Sequence, residues 1–238
     1  MTKGVSFVIF GKNVGSDLVE TIKTINFATE SISNLDYEII IIDDGSFVKP
    51  VEQTLLDLTG VKKVLYNEKS LGVSGAVLTS IPYCKYVYVL PVPGHNMFAS
   101  GAITNVLNLR GQGDIIIGCR NNLALERPPV KKLASRILRD LYRHLTFYYV
   151  GDIHGLILFQ KNDLVKFLDL DGGHANAISV VTPVLARGGK LVQTVAPINH
   201  GHDQRPSRRP LDSIPHPRNV LRVLRALRSA RRIYKTSI

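Results

Sequence analysis

Cysteine is scarce in this 238-residue chain, acids are outnumbered, and no apolar run is long. The two cysteines, Cys84 and Cys119, stand in strand-like apolar contexts without metal-ligand spacing, so buried free thiols are expected rather than a disulfide or a zinc site. No stretch approaches the ~20 consecutive apolar residues that span a bilayer, and no charged leader precedes a long apolar segment, which predicts a cytosolic chain. There is no internal repeat and no low-complexity linker before the Pro- and Arg-rich stretch 204–218. Asp and Glu number 19 against 30 Lys and Arg, for a net charge of +11. The imbalance is local: residues 203–238 hold ten Lys or Arg against two acids, hence +8, and the first 202 residues carry only +3.

What is present is ample core material, 45% hydrophobic residues, arranged in short runs. Residues 38–46, Glu-Ile-Ile-Ile-Ile-Asp-Asp-Gly-Ser, form an apolar run that stops on two carboxylates, the pattern of a strand buried on both faces. Residues 5–10 give an earlier strand, Gly11-Lys12-Asn13 a turn, and Leu18, Ile22 and Ile25 a helical stripe, which completes one βαβ unit. Further strands are expected at 61–66, 86–90 (ended by Pro91-Val92-Pro93-Gly94), 114–119, 156–159 and 190–195. Helices are expected at 51–58, 72–80, 131–149 and 178–187. The alternation predicts an α/β fold with a mostly parallel sheet, parsed as one domain over 1–202 and a basic loop and helix over 203–238. In such sheets ligands sit beyond the carboxyl ends of the strands, where Asp43 and Asp44 fall. A strand-to-turn cap is the alternative role for both.

The series of pieces resembles the family 2 glycosyltransferases of GT-A, Rossmann-like fold over about residues 4–209. Asp43-Asp44-Gly45-Ser46 matches the family's Asp-Asp-Gly-Ser; Asn67, Leu71-Gly72 and Gly75-Ala76 match the following Asn and Gly-rich helix start. The first loop, Phe10-Gly11-Lys12-Asn13-Val14, keeps only Asn13. The resemblance implies that Phe10, Asn13, Asp43, Asp44 and Gly72 contact a nucleotide-diphosphate sugar, the carboxylates accepting hydrogen bonds from base and ribose. The second half is most similar to polyprenyl-phosphate sugar transferases: Ile117-Gly118-Cys119-Arg120, Lys131-Lys132-Leu133-Ala134-Ser135-Arg136 and Asp152-Ile153-His154-Gly155-Leu156 stand where those enzymes have related motifs. This implies Arg120, Lys131 and Ser135 for an acceptor phosphate, with Asp152 either near the acceptor or capping a turn.

The departure lies at Leu90-Pro91-Val92-Pro93-Gly94-His95, where the family has a metal-binding Asp-x-Asp. Pro91 and Pro93 replace both acids and offer a hard cation no side-chain oxygen, and His95 is a poor substitute, so no metal cofactor is expected. His95 and Asn96 are either a polar loop or a replacement contact for the donor phosphate. Asp169, Asp171 and His174 lie in a Gly-rich loop where inverting transferases often place a base, or in a merely solvated one. A phosphate acceptor is already anionic and needs no base. Charge on the leaving diphosphate falls to Arg205, Arg208 and Arg209 in the basic loop, as catalytic candidates. The reading is an inverting transferase whose acceptor is a membrane polyprenyl phosphate or lipid-linked glycan; the alternative is an inactive domain that binds a nucleotide sugar or a partner transferase.

The tail from Pro217 places Val220, Val223, Leu224, Leu227, Ala230 and Ile233 or Tyr234 at helical spacing among Arg218, Arg222, Arg225, Arg228, Arg232 and Lys235. A basic amphipathic helix of this kind is expected to lie on the anionic inner face of a membrane, with packing on the body or self-association as the alternatives. Deleting residues 217–238 is then expected to leave a soluble body that still binds donor. Nucleic acid is not expected as a partner, because Tyr234 is the tail's one aromatic.

Overall fold

The computed structural model describes residues 4–120, 129–168, 176–199 and 217–236. Its elements run β1 (Val5–Gly11), α1 (Asp17–Glu30), β2 (Tyr37–Asp43), α2 (Glu52–Leu56), β3 (Val61–Tyr66), α3 (Gly72–Ser80), β4 (Tyr88–Pro93), α4 (Ser100–Asn108), β5 (Ile115–Cys119), α5 (Pro129–Thr146), β6 (Leu156–Gln160), α6 (Lys161–Phe167), α7 (Asn176–Ala186), β7 (Leu191–Val195) and α8 (Pro217–Thr236). The strands form one seven-stranded sheet in the order β3-β2-β1-β4-β6-β5-β7. Only β6 runs antiparallel to its neighbours, β4 and β5, so the sheet is mostly parallel as the alternation of elements predicts.

Period-two alternation explains why both faces are covered. On β2, Ile39 and Ile41 point to the layer holding Ile22, Ile25, Ile103 and Leu107 of α1 and α4. Ile40 and Ile42 point to the opposite layer, with Val77 of α3, Tyr142 of α5, Val181 and Val184 of α7, and Leu227 and Ala230 of α8. A continuous isoleucine run is what a strand buried on both faces requires.

Four expectations need correction. The strand expected at 86–90 continues through Pro91 and Pro93. Gly94 donates its N–H to the Phe10 carbonyl at 2.9 Å, so by alternation Leu90 and Val92 also face β1 while both prolines face the other edge. On that edge β6 pairs only with Tyr88 and Val89, so the prolines sit where no ladder donor is wanted. The helix expected at 51–58 is a five-residue turn, and α4 and α6, which carry no strong start signal, were not anticipated. Cys119 is half-buried where Cys84 is buried; both are free thiols, and burial pushes each up to about 11. Finally, α8 packs on α7 and α5, which was the alternative to a membrane contact: in its apolar stripe Leu227 and Ala230 are each 2% exposed, while Leu224 is 40% exposed. Burial against apolar helices satisfies that stripe as well as lipid would.

Candidate functional site

At the carboxyl end of the sheet the backbone itself ties four loops together. The N–H of Asp44 donates to the Gly11 carbonyl at 2.8 Å, that of Asn67 to the Asp43 carbonyl at 2.8 Å, and that of Gly94 to the Phe10 carbonyl at 2.9 Å. The loops after β1, β2, β3 and β4 therefore share one framework. Asn13 adds a side-chain clasp: its N–H donates to Ser46 Oγ at 2.7 Å, and its Oδ1 accepts from the Phe47 N–H at 3.0 Å. To do this Asn13 adopts a left-handed backbone, φ 53°, which asparagine tolerates better than most residues. Gly45, φ 79°, is needed for a different reason, since a Cβ there would lie 2.8 Å from the Ser70 nitrogen.

The paired carboxylates do different work. Asp44 accepts four hydrogen bonds: from Asn67 Nδ2 at 2.8 Å, Ser70 Oγ at 2.7 Å, the Leu71 N–H at 2.9 Å and the Gly72 N–H at 2.9 Å. It thereby caps α3 from a distance, holding the donors that the helix cannot satisfy internally. Burial is the largest single influence on its acidity and pushes the carboxyl up, but the bonds from Asn67, Leu71, Ser70 and Gly72 together outweigh it and hold the group below its ordinary value. Asp43 uses Oδ1 to accept from the Ser46 N–H at 2.8 Å. Among the described residues its Oδ2 makes no hydrogen bond, although the residue is only 6% exposed.

Beside them lies the end of β4. Phe10, Pro91, Pro93 and His95 are half-buried around it, and Gly72 and Asn13 are exposed at its rim. Asn96, φ 50°, is bound into the scaffold: it accepts from Thr24 Oγ1 at 3.0 Å, donates to Thr21 Oγ1 at 2.9 Å, and its carbonyl accepts from Asn199 Nδ2 at 2.8 Å. These bonds tie the loop after β4 to α1, and His95 precedes Asn96 in that loop. Among the described residues no three His, Cys, Asp or Glu side chains gather closely enough to hold a metal ion. Among the described residues, the donors at this strand end do not fit a hard divalent cation, which wants several oxygens.

A second cluster forms where β5 ends. Arg120 binds Asp152 through two parallel bonds, Nε to Oδ2 at 2.6 Å and a terminal nitrogen to Oδ1 at 2.8 Å, and its backbone N–H adds a third at 3.2 Å. The side chains are 5% and 15% exposed, so the fork is largely dry. Burial is the largest influence on Asp152 and pushes it up; the bonds and charge of Arg120 prevail and hold the carboxyl below its ordinary value. Asp152 also accepts from the His154 N–H at 3.1 Å, and Gly155 lets this turn press on β5, because a Cβ would collide with the Gly118 carbonyl. Two residues expected to meet an acceptor separately are thus bound to each other. Ser135 lies exposed in the second turn of α5, and Lys131 falls in the first turn of the same helix.

His174, Arg205 and Arg208, with Asp169, Asp171 and Arg209, lie outside the described residues. Sequence reasoning missed Ser70, which precedes α3 as a helix-start residue does, and the exposed Phe47, whose N–H is held by Asn13 and whose ring lies 5.3 Å from Lys12 Nζ.

Residues 6–172 match the family model described as glycosyl transferase family 2. Among solved structures, the chain is similar to glucosyl-3-phosphoglycerate synthase from Mycobacterium tuberculosis in complex with phosphoglyceric acid, at 16% identity and TM-score 0.67, covering 96% of this chain and 80% of that one. S. aureus TarS 1-349 in complex with UDP-GlcNAc shares 12% identity at TM-score 0.58, over 95% of this chain and 66% of that one. Mannosyltransferase PcManGT from Pyrobaculum calidifontis, in complex with GDP-Man and Mn2+, shares 14% at TM-score 0.53, over 81% and 56%. Likeness at such identity carries the fold alone, and the last two chains are substantially longer. No curated protein matches the sequence.

Proposed function

Because the chain belongs to glycosyl transferase family 2, and so is a glycosyltransferase that uses a nucleotide sugar, we propose that it is an inverting enzyme whose acceptor is a phosphate carried on a membrane polyprenol or a lipid-linked glycan, and that it works without a divalent cation. The observation that carries the metal-independent part is the presence of Pro91 and Pro93 at the end of β4, across β1 from Asp43, whose Oδ2 makes no hydrogen bond among the described residues.

In this reading the nucleotide lies across the ends of β1, β2 and β4. Asp43 accepts from base or ribose, while Asp44 keeps the loop before α3 in place and does not reach the ligand. An acceptor phosphate oxygen attacks the anomeric carbon as the bond from that carbon to the diphosphate oxygen breaks, and the nucleoside diphosphate leaves with the electron pair. No proton has to be removed from an ionised phosphate, so positioning and neutralisation of the leaving group are the protein's tasks. Arg205 and Arg208 are the residues proposed for neutralisation, and Ser135 with Lys131 for the acceptor. Cytoplasmic location at the inner face of a membrane goes with this acceptor.

The test is a thermal-shift and transfer screen of nucleotide-diphosphate sugars in EDTA and in Mn2+. A selective shift and sugar transfer in EDTA are expected; transfer abolished by EDTA and restored by Mn2+ would overturn the metal-independent reading. A second reading, a domain that binds the donor without turning it over, is favoured by the closed Arg120–Asp152 pair. Binding without transfer or hydrolysis across the panel would select it.

A further inference from the structure

Helix α5 carries two apolar faces, and among the described residues one packs into the fold while the other is exposed. Tyr142 and Thr146 are buried, Tyr142 donating to or accepting from Thr182 at 3.0 Å on α7. On the other side Leu133, Ile137 and Leu141 recur every four residues and are 57%, 56% and 36% exposed. At 100° per residue they occupy an arc of about 80° on the outer surface. Arg136 and Arg143, both exposed, lie on one side of that arc, about 60° and 80° beyond Leu133, with Asp140 about 20° beyond it and His144 within the arc. The helix has five Lys or Arg against one acid, Asp140, whose carboxylate lies 3.5 Å from Arg139.

The stripe ends on an aromatic that the fold does not bury. Phe147 follows the last turn with φ 58°, its N–H donating to the Arg143 carbonyl at 2.7 Å, and is 73% exposed. A left-handed residue at this place is commonly glycine. At 73% exposed, the ring lies outside the core. Tyr149, also exposed, lies with its ring 5.8 Å from the Arg143 guanidinium.

We propose that this face of α5 docks on an anionic lipid bilayer. Charge decides among the occupants. A second copy would set two helices of five Lys or Arg against each other with one acid, Asp140, on each to offset them, and that net like charge opposes the contact. A nucleic acid would engage the arginines but leave Leu133, Ile137 and Leu141 in water. An anionic surface takes both at once: the leucines and isoleucine enter the headgroup–acyl boundary, the guanidinium groups meet lipid phosphates, and Phe147 joins the apolar side. The contact assigned to α8 by the sequence thus moves to α5. It does not rest on a lipid acceptor, since an enzyme with a soluble acceptor would dock in the same way.

Full-length protein is sedimented with vesicles of phosphatidylcholine and of phosphatidylcholine mixed with phosphatidylglycerol, at low and high salt. Binding is expected only to the mixed vesicles and to weaken with salt. Leu133→Ser with Ile137→Ser, and separately Arg136→Glu with Arg143→Glu, should each reduce it by about tenfold or more. Phe27→Ser on the exposed side of α1 should leave it unchanged. All variants should keep the parent Tm and the parent thermal shift with donor, so a failure here is separate from failure of the proposed reaction. Absence of vesicle binding by the parent protein would overturn the proposal. So would undiminished binding by the Leu133/Ile137 variant, or a parent dimer that this variant converts to monomer, which would make the face a contact between copies.

Discussion

At Asp43 and Asp44 two identical side chains, one residue apart, have been given unlike tasks by what surrounds them. Among the described residues Asp44 is enclosed by four donors and Asp43 by one. Asp44→Ala should cost stability, about 1 to 3 kcal/mol for the donors left unmatched, and should weaken nucleotide binding only through the displaced loop. Asp43→Ala should leave Tm nearly unchanged and weaken nucleotide binding directly. Urea unfolding and nucleotide titration of both variants separate the two; equal losses of stability would refute the division of labour. The acid limb gives a further check. Because the folded-state carboxyl of Asp44 lies below the ordinary 3.8, its stabilising contribution is complete above that value and is lost as pH falls through the depressed one. Asp152 acts in the same direction. Asp44→Asn should therefore flatten part of the loss of stability below the ordinary carboxyl value.

Among the elements, β4 is where local chemistry and architecture meet. Its prolines face an edge that β6 leaves after Val89, so replacing them breaks no ladder bond. Pro91→Asp with Pro93→Asp should lower stability by about 0.4–1 kcal/mol at each site, chiefly by loosening the unfolded chain. The same variant supplies carboxylates across β1 from Asp43 and should make donor binding depend on Mn2+. A donor thermal shift indifferent to Mn2+ in the variant would show that more than two acids separates this strand end from a metal site.

For the molecule as a whole, α8 closes the core. Leu227 and Ala230 lie with Tyr142, Val181 and Val184 in one apolar cluster. Leu227→Ala should cost about 2–5 kcal/mol. Removing residues 217–238 should expose that cluster, lower Tm and promote aggregation, contrary to the soluble donor-binding body that an amphipathic tail suggests on its own. A truncated protein with the parent Tm would restore the view of α8 as an appendage.

The isoleucine run of β2, the glycines after it and the alternation of elements were decided by the sequence, because burial on both faces and left-handed turns demand particular residue types at particular spacings. So was the absence of carboxylates at Pro91 and Pro93, and with it the chemistry expected of that strand end. Which apolar stripe meets the core was a different matter. Helices α5 and α8 both read as amphipathic and basic, and periodicity is the same whether a stripe faces protein or lipid. Only the packing of α8 on α7 and α5 settled that Leu227 and Ala230 are interior and that Leu133, Ile137 and Leu141 remain outside. Likewise no spacing rule joins Arg120 to Asp152, or Asp44 to Ser70 and Gly72. Those pairs are made by strands and loops distant in the chain, so the assignment of each charged group to ligand or to scaffold belongs to the tertiary structure.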